Sequence, residues 1–223
     1  MWRYGLIAFL CIVFSSFASA QQVLKTSSGA VVGTKMVVST KAPYCLLFPD
    51  GTCTGTELIA LARKINNLGA NVLVVPSETP YTDANVSADV LVNDMGWRIE
   101  ELRKTTSGPL FLMTQKRVSA AALIAATRFF AIKGVIAVST GEYFAGKEYV
   151  AQSLTMLRVP VLSLCTEGEF MAVKGVFAKL PRKFVVFSTD LEVAGYDDLL
   201  KNTKQAGKIW LAISVFYHEH FDN

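Results

Sequence analysis

Apolar runs and amphipathic stretches alternate along most of the chain. Residues 44–48 and 71–75 contain almost no polar side chains, which is typical of strands covered on both faces of a sheet. Between them, residues 54–68 repeat apolar side chains at helical spacing, and Gly69 stands where a helix would end. The pattern predicts a strand, a helix and a second strand in direct succession.

The alternation continues to the end of the chain, after an antiparallel hairpin at residues 23–40. Residues 108–131 predict a buried strand, a tight polar corner and an Ala-rich helix. The other predicted elements are helices at 89–104, 147–157, 169–180, 196–205 and 208–220, and strands at 134–138, 159–164 and 184–187. We therefore expect an α/β fold: a mainly parallel central sheet with an N-terminal antiparallel hairpin and helices on both faces.

The first twenty residues differ from the rest. Arg3 precedes an unbroken apolar run, and Ala18-Ser19-Ala20 is a small-residue cleavage pattern. We expect a signal peptide at residues 1–20, cleaved after Ala20, and a secreted or periplasmic protein. The run is short for a membrane anchor, and no later run is longer, so no membrane span is expected after cleavage. Residues 21–223 show no repeat and no linker, so they are expected to form a single domain.

Composition argues against several function classes. The 223 residues are 52% hydrophobic and 18% charged, which predicts a sizeable core rather than disorder. Without Arg3, 21 basic residues face 18 acidic ones, and the scattered charges give no reason to expect nucleic-acid binding. The chain has no Gly-rich phosphate loop, no Cys-x-x-Cys pair and no His-Glu-x-x-His run, so neither a cofactor nor a metal is predicted.

Three cysteines follow the signal peptide: Cys45, Cys53 and Cys165. Cys45 and Cys53 are expected at opposite ends of one strand, too far apart to bridge. Export permits a disulfide between Cys53 and Cys165, which should lie at the same edge of the sheet. Isolated buried thiols are an equally consistent interpretation.

Several segments together resemble the α/β-hydrolase fold across nearly the whole mature chain. They are residues 29–33 (the first hairpin), 46–52 (LLFPDGT, a strand running into the oxyanion loop), 68–76, 133–139, 158–169 (the strand that carries the acid) and 208–221 (the closing helix). The resemblance implies a nucleophile at the tip of the turn after the central strand, an acid after the penultimate strand, and a His after the last strand.

The three catalytic positions that the resemblance implies are filled unusually. Lys116 occupies the nucleophile position, and Thr114 and Val118 replace the glycines that relieve crowding there. We expect such bulky neighbours to make the strained turn difficult to hold. Residues 190–200, after the last predicted strand, contain no His, whereas Glu167 or Glu169 fills the acid position.

The remaining catalytic candidates are Ser119, Cys165 and His218. Ser119 is expected one turn into the helix, where a small residue eases packing, and Cys165 is more consistent with a buried thiol than with a reactive one. His218, with His220, is expected near the end of a C-terminal helix, exposed to solvent. An alternative assigns residues 208–216 to the last strand, which would place His218 in the position of the catalytic His.

Lys116 favours a binding role, because its ammonium would lie above the carboxyl edge of the sheet, where ligands bind in open α/β sheets. Glu167 or Glu169 would lie within its reach. This arrangement predicts either a structural ion pair or a pocket for a small anion; a carbonyl-reactive lysine is a further alternative. The candidate ligand-binding residues are Asp50, Gly51, Gln115, Lys116, Glu167 and Glu169.

The sequence thus leads to one principal hypothesis: an exported α/β-hydrolase-like protein with a degenerate triad, which binds a small anionic ligand or an envelope protein. One alternative is an active secreted esterase or peptidase that uses Ser119 or Cys165 with His218. Another is a structural protein of the cell envelope.

Overall fold

The structure is a computed structural model that describes residues 22–25, 31–76, 81, 83, 85–146, 148–181 and 184–221. The predicted signal peptide and the turn of the predicted N-terminal hairpin lie outside these residues. Within them, no helix is both long enough and apolar enough to cross a bilayer.

The described residues contain one eight-stranded sheet, in the order β1-β2-β4-β3-β5-β6-β7-β8. Its strands are β1 (Gln22–Lys25), β2 (Val31–Met36), β3 (Tyr44–Leu47), β4 (Asn71–Val74), β5 (Leu110–Gln115), β6 (Ile132–Val138), β7 (Val161–Thr166) and β8 (Val185–Leu191). The β1–β2 and β2–β4 pairs are antiparallel, and the pairs from β4 through β8 are parallel. The predicted mainly parallel sheet with an N-terminal antiparallel hairpin is confirmed.

Helices cover both faces of this sheet, as predicted. They are α1 (Gly55–Asn66), α2 (Ala88–Arg103), α3 (Lys116–Arg128), α4 (Tyr149–Ser153), α5 (Phe170–Val176), α6 (Asp197–Leu200) and α7 (Lys204–His220), with a 3-10 turn at Leu154–Met156. Helices α2 to α5 share one core with alternate strand residues such as Leu46 and Leu112. Helices α1, α6 and α7 share the other core with the intervening residues, such as Leu47 and Met113. The period of two along each strand therefore supplies both cores.

The C-terminal segment is helical, so the alternative strand at residues 208–216 is wrong. Its buried residues, Ala206, Ile209, Ile213, Phe216 and Tyr217, repeat at the spacing of a helix. The Thr203 side chain accepts a hydrogen bond from the backbone N–H of Ala206 and so caps α7, which explains why the helix begins at Lys204 and not at 208.

Two other helices are shorter than predicted. Helix α5 ends at Val176, one residue after Gly175, instead of continuing to 180. The predicted helix at 196–205 is divided between α6 and the start of α7. Neither change affects the carboxyl edge of the parallel strands, where the loops after β3, β5, β6, β7 and β8 meet.

Candidate functional site

Lys116 occupies the tip of the turn between β5 and α3, as predicted. Its φ of 50° is left-handed, a region that residues other than glycine rarely enter. A strained strand-to-helix turn of this kind is what exposes the nucleophile in α/β hydrolases. Thr114 and Val118 flank it and are buried. The expectation that these bulky neighbours would disfavour the strained turn is therefore wrong, because both side chains are accommodated in the packing between β5 and α3.

The partner of Lys116 is Asp50, in the loop after β3. The Lys116 Nζ lies 3.8 Å from Asp50 Oδ2 and 3.5 Å from Thr52 Oγ1. The Asp50 side chain is only 3% exposed, and its Oδ1 accepts hydrogen bonds from the backbone N–H and the hydroxyl of Thr52. Its Oδ2 has no hydrogen-bond partner among the described groups. The ammonium is thus the cation that compensates this buried carboxylate.

Gly195 faces Lys116 from the loop after β8, within the segment 190–200 that contains no His. Its φ is +109°, and an added Cβ would lie 2.8 Å from Gln115 Oε1 and 3.3 Å from Lys116 Cε. The site therefore has no space for an imidazole on this residue. Gln115 holds the loop, because its Oε1 accepts a hydrogen bond of 2.6 Å from the backbone N–H of Tyr196.

Gln115 also reaches the loop after β3. Its Nε2 donates to Thr52 Oγ1 at 3.3 Å and to Cys53 Sγ at 3.1 Å. One buried amide therefore ties together the loops after β3 and β8 on either side of Lys116. Gly51, with φ +87° and exposed, forms the turn between Asp50 and Thr52.

Of the two acidic candidates after β7, Glu169 is the one built into the site. Its Oε2 accepts hydrogen bonds of 3.0 Å from Ser139 Oγ and from the backbone N–H of Thr166. Ser139 Oγ in turn accepts a 3.1 Å bond from the backbone N–H of Gly195. Glu167 is exposed. The expected pairing of Lys116 with Glu167 or Glu169 is wrong: the closer loop after β3 supplies Asp50 instead.

Ser139 belongs to the site but was not predicted from the sequence. It follows β6, is fully buried and has a left-handed φ of 50°. In a triad, the acid orients an imidazole. Here the hydrogen bonds run from Glu169 through Ser139 to the backbone N–H of Gly195. Nothing in the local sequence Val-Ser-Thr-Gly distinguishes this serine from an ordinary loop residue.

Ser119 lies inside the packing between α3 and the sheet, fully buried. Its Oγ accepts a 3.1 Å hydrogen bond from Thr114 Oγ1, donates to the Val138 carbonyl at 3.3 Å, and accepts from the Val138 N–H at 3.2 Å. The hydroxyl links α3 to β5 and β6. In this buried position it is not accessible to a substrate.

The three cysteines are free thiols, so Cys53 and Cys165 do not pair. Burial, together with the negative charges of nearby acids, raises the pKa of Cys165 and of Cys53 to about 11. Burial also raises the pKa of Cys45. A thiol with a raised pKa carries little thiolate at neutral pH, which disfavours nucleophilic attack.

The two histidines lie away from this site. His218 and His220 are exposed at the end of α7. His220 lines a groove with Gly108, Pro109 and Lys133, at the beginnings of β5 and β6. This is the edge of the sheet opposite to Lys116, so the structure does not bring His218 to Ser119 or Cys165.

The site therefore assembles Asp50, Gln115, Lys116 and, across Ser139, Glu169. Its described residues offer an ammonium, two carboxylates and an amide, with no hydroxyl or thiol at the tip of the turn. No group of three His, Cys, Asp or Glu within the described residues is arranged to hold a metal ion.

No family model matches the sequence, and no curated protein matches it. Solved structures do match its backbone. DcsB, solved in complex with its substrate analogue, matches with a TM-score of 0.70 at 11% identity, over 91% of this chain and 99% of that one. A dienelactone hydrolase from Anabaena variabilis matches with a TM-score of 0.66 at 10% identity, over 90% and 97% of the two chains. The esterase domain of a Rhodothermus marinus protein also reaches 0.66, at 14% identity, over 89% and 97%.

Proposed function

The chain has an α/β-hydrolase fold, and we propose that it is a catalytically degenerate form of it, acting by binding instead of by hydrolysis. The observation that carries the proposal is the pair at the tip of the turn. Lys116 holds the strained conformation of the nucleophile, and its ammonium lies beside the buried carboxylate of Asp50. The backbone at this position has the geometry of a nucleophile turn, but the side chain is an ammonium paired with a carboxylate.

Acyl transfer in this fold needs an activated nucleophile, a base that takes its proton, and an acid that orients the base. Lys116 supplies no hydroxyl, and Gly195 supplies no imidazole. Glu169 is an acid after the penultimate strand, and its carboxylate is hydrogen-bonded to Ser139 and Thr166. Loss of one triad member costs an enzyme several orders of magnitude in kcat, and here two are replaced.

A binding role is consistent with the geometry of the carboxyl edge of the sheet. Ligands of open α/β sheets bind outside the carboxyl ends of the strands, and the loops there are tied by Gln115 and Ser139 into a fixed arrangement. As the ligand or partner, we propose a small anion or a protein of the cell envelope. Export by a signal peptide cleaved after Ala20 belongs to the same proposal.

Active-site labelling tests the absence of a nucleophile. The purified mature protein is incubated with a fluorophosphonate probe, which labels activated serines, and the adduct is sought by intact-mass and peptide-mass spectrometry. We expect no adduct. Ser119→Ala serves as the variant that would lose any label on the serine inside α3. Stoichiometric labelling of the folded protein at Ser119, abolished by Ser119→Ala, would overturn the proposal.

A further inference from the structure

A second cation stands one residue beyond Lys116 and lines a groove of its own. The groove has a volume of about 400 Å³ and lies between the first turn of α2, the start of α3 and the loop before α4. We name it the Arg117 groove; its lining residues that matter here are Arg117, Tyr143, Phe144 and Tyr149. It adjoins the tip of the turn, at the carboxyl edge of the sheet.

Arg117 is held in position by contacts that include no acidic side chain among the described residues. Its Nη1 donates to the backbone carbonyl of Asp83 at 2.9 Å, and its guanidinium carbon lies 5.1 Å from the centre of the Phe144 ring. No ion pair within the described residues includes it. A guanidinium stacked on a ring keeps its remaining N–H groups directed outward in its own plane, which is the geometry that receives a carboxylate.

The described acidic groups in and beside the groove have other hydrogen-bond or ion-pair partners. Asp89, in the groove wall, pairs with Arg128 at 2.9 Å. Glu142 accepts hydrogen bonds from the backbone N–H groups of Val150 and Ala151, both at 2.8 Å. The Asp83 carboxylate accepts from the backbone N–H of Asn85 at 2.9 Å. Burial lowers the pKa of the Arg117 guanidinium, against the opposing effect of the Asp83 charge, so this cation is partly removed from water.

One wall of the groove is aromatic, and the first turn of α2 with the residues before it forms another. Phe144 and Tyr149 meet edge to face, with centroids 6.2 Å apart. Tyr143 donates its hydroxyl to the carbonyl of Ser139 at 2.8 Å, which fixes its ring, and is 44% exposed. A pocket with a few directed polar groups among rings is typical of a site for a small, planar organic ligand.

We propose that the Arg117 groove binds an aromatic carboxylate, with the carboxylate on the Arg117 guanidinium and the ring among Tyr143, Phe144 and Tyr149. This inference rests on the proposed binding function and gives its ligand a class. It also assigns the anion to Arg117 and not, as the sequence predicted, to Lys116, because the Asp50 carboxylate already neutralises the Lys116 ammonium.

The test is a titration followed by fluorine NMR, with 4-fluorobenzoate as the probe and 4-fluorobenzamide as its uncharged counterpart. We expect saturable binding of the benzoate and at least about tenfold weaker binding of the amide, because a charge-assisted bidentate contact is lost. Arg117→Gln should weaken benzoate binding by a similar factor, and Arg117→Lys by less, since it keeps the charge and loses the planar fork.

Three controls make the result specific. Arg63→Gln removes an exposed cation from α1, on the other face of the sheet, and should leave the affinity unchanged. Lys116→Gln distinguishes the two neighbouring cations, and should change the affinity less than Arg117→Gln does. Circular dichroism and thermal melting of each Arg117 variant establish that it is folded.

Equal binding of benzoate and benzamide, unchanged affinity in folded Arg117→Gln, or no saturable benzoate binding at millimolar concentration would each overturn the inference. So would a loss of binding in Lys116→Gln alone. Competition by inorganic phosphate with an affinity equal to that of the benzoate would likewise contradict an aromatic ligand. Ester turnover by the same preparation would instead count against the proposed function, so the two failures are distinguishable.

Discussion

Lys116 keeps a left-handed backbone although it is neither glycine nor flanked by glycines. The sequence sufficed to place a lysine at the tip and to show that residues 190–200 contain no His. It did not predict Asp50 as the partner, because the Asp of such a turn usually bonds its own backbone two residues on. Here Oδ1 makes the usual turn contact with Thr52, and Oδ2 points inward to the lysine. Which way a side chain turns depends on neighbours distant in sequence.

Removing the ammonium should expose the cost of the buried carboxylate. We expect Lys116→Met to lower the free energy of unfolding by about 1–3 kcal/mol, because Asp50 Oδ2 then has no compensating group. The double variant Asp50→Asn/Lys116→Met should recover a large part of that loss. Urea unfolding of the three proteins measures this; an unaffected single variant would show that the pair does not contribute to stability.

The raised pKa values predict slow thiols. With a pKa of about 11, Cys53 carries about 10⁻⁴ of its population as thiolate at pH 7. Alkylation by iodoacetamide at pH 7 should therefore be about 300-fold slower in the folded protein than in urea, where the pKa returns to about 8.5. The rate should rise about tenfold per pH unit until about pH 11.

The raised thiol pKa values also affect the free energy of unfolding. Because the pKa is higher in the folded than in the unfolded protein, the neutral thiols stabilise the fold, and this contribution falls at high pH. The contribution of the neutral thiols is complete below about pH 8.5 and is lost as the pH rises towards about 11. Fast alkylation of Cys53 at pH 7, at the rate of the unfolded chain, would contradict this description of the site.

Elements were predictable where a repeat of apolar residues continued long enough to fix the period. Helix α7 is an example, although its start depended on the Thr203 cap. The apolar pattern was less informative for α2. Val90 is apolar but 49% exposed, whereas Arg98 is charged but buried, and it pairs with Asp94. Charged residues four positions apart, such as Asp94 and Arg98, usually pair on the solvent-facing side of a helix, so the sequence pattern does not predict that Arg98 is buried.

The ring of Phe221, at the end of α7, packs against Gly134 of β6. An added Cβ at Gly134 would lie 2.4 Å from the Phe221 ring, which stacks on Phe111 with centroids 4.7 Å apart. We expect Gly134→Ala to cost about 1–3 kcal/mol of stability by displacing this ring.

Gly207 is the matched control, because nothing lies within 4 Å of a Cβ added there in the first turns of α7. Gly207→Ala should raise the stability by about 0.5–1 kcal/mol through helix propensity. Thermal melting compares the two. A similar effect of both substitutions would mean that the ring of Phe221 is not tightly held.

For the whole molecule, the alternation of strands and helices was sufficient to predict the architecture. Right-handed crossovers leave few ways to arrange a mainly parallel sheet. The meeting of the loops at one edge followed from that architecture, but the Ser139 and Gln115 bridges did not, since they join residues 56 and 81 positions apart. The predicted signal peptide lies outside the described residues and stays a prediction.

Export makes a simple prediction at this scale. Expressed from its full coding sequence in a bacterium, the protein should accumulate outside the cytoplasm as a chain that begins at Gln21. N-terminal sequencing of that fraction checks the cleavage position. Recovery of the intact chain with Met1, in the membrane fraction, would favour an uncleaved anchor instead.

Ester turnover by the purified mature protein tests most directly whether the exchange at the tip of the turn has removed catalysis. Initial rates are measured with p-nitrophenyl acetate and butyrate for the wild type, for Lys116→Gln and for the heat-denatured protein. The absence of an activated nucleophile predicts that the wild type and Lys116→Gln react at equal rates, first order in ester and without saturation, and that denaturation does not lower the rate. A saturable wild-type rate that disappears on denaturation would contradict it, whichever residue proved to be responsible.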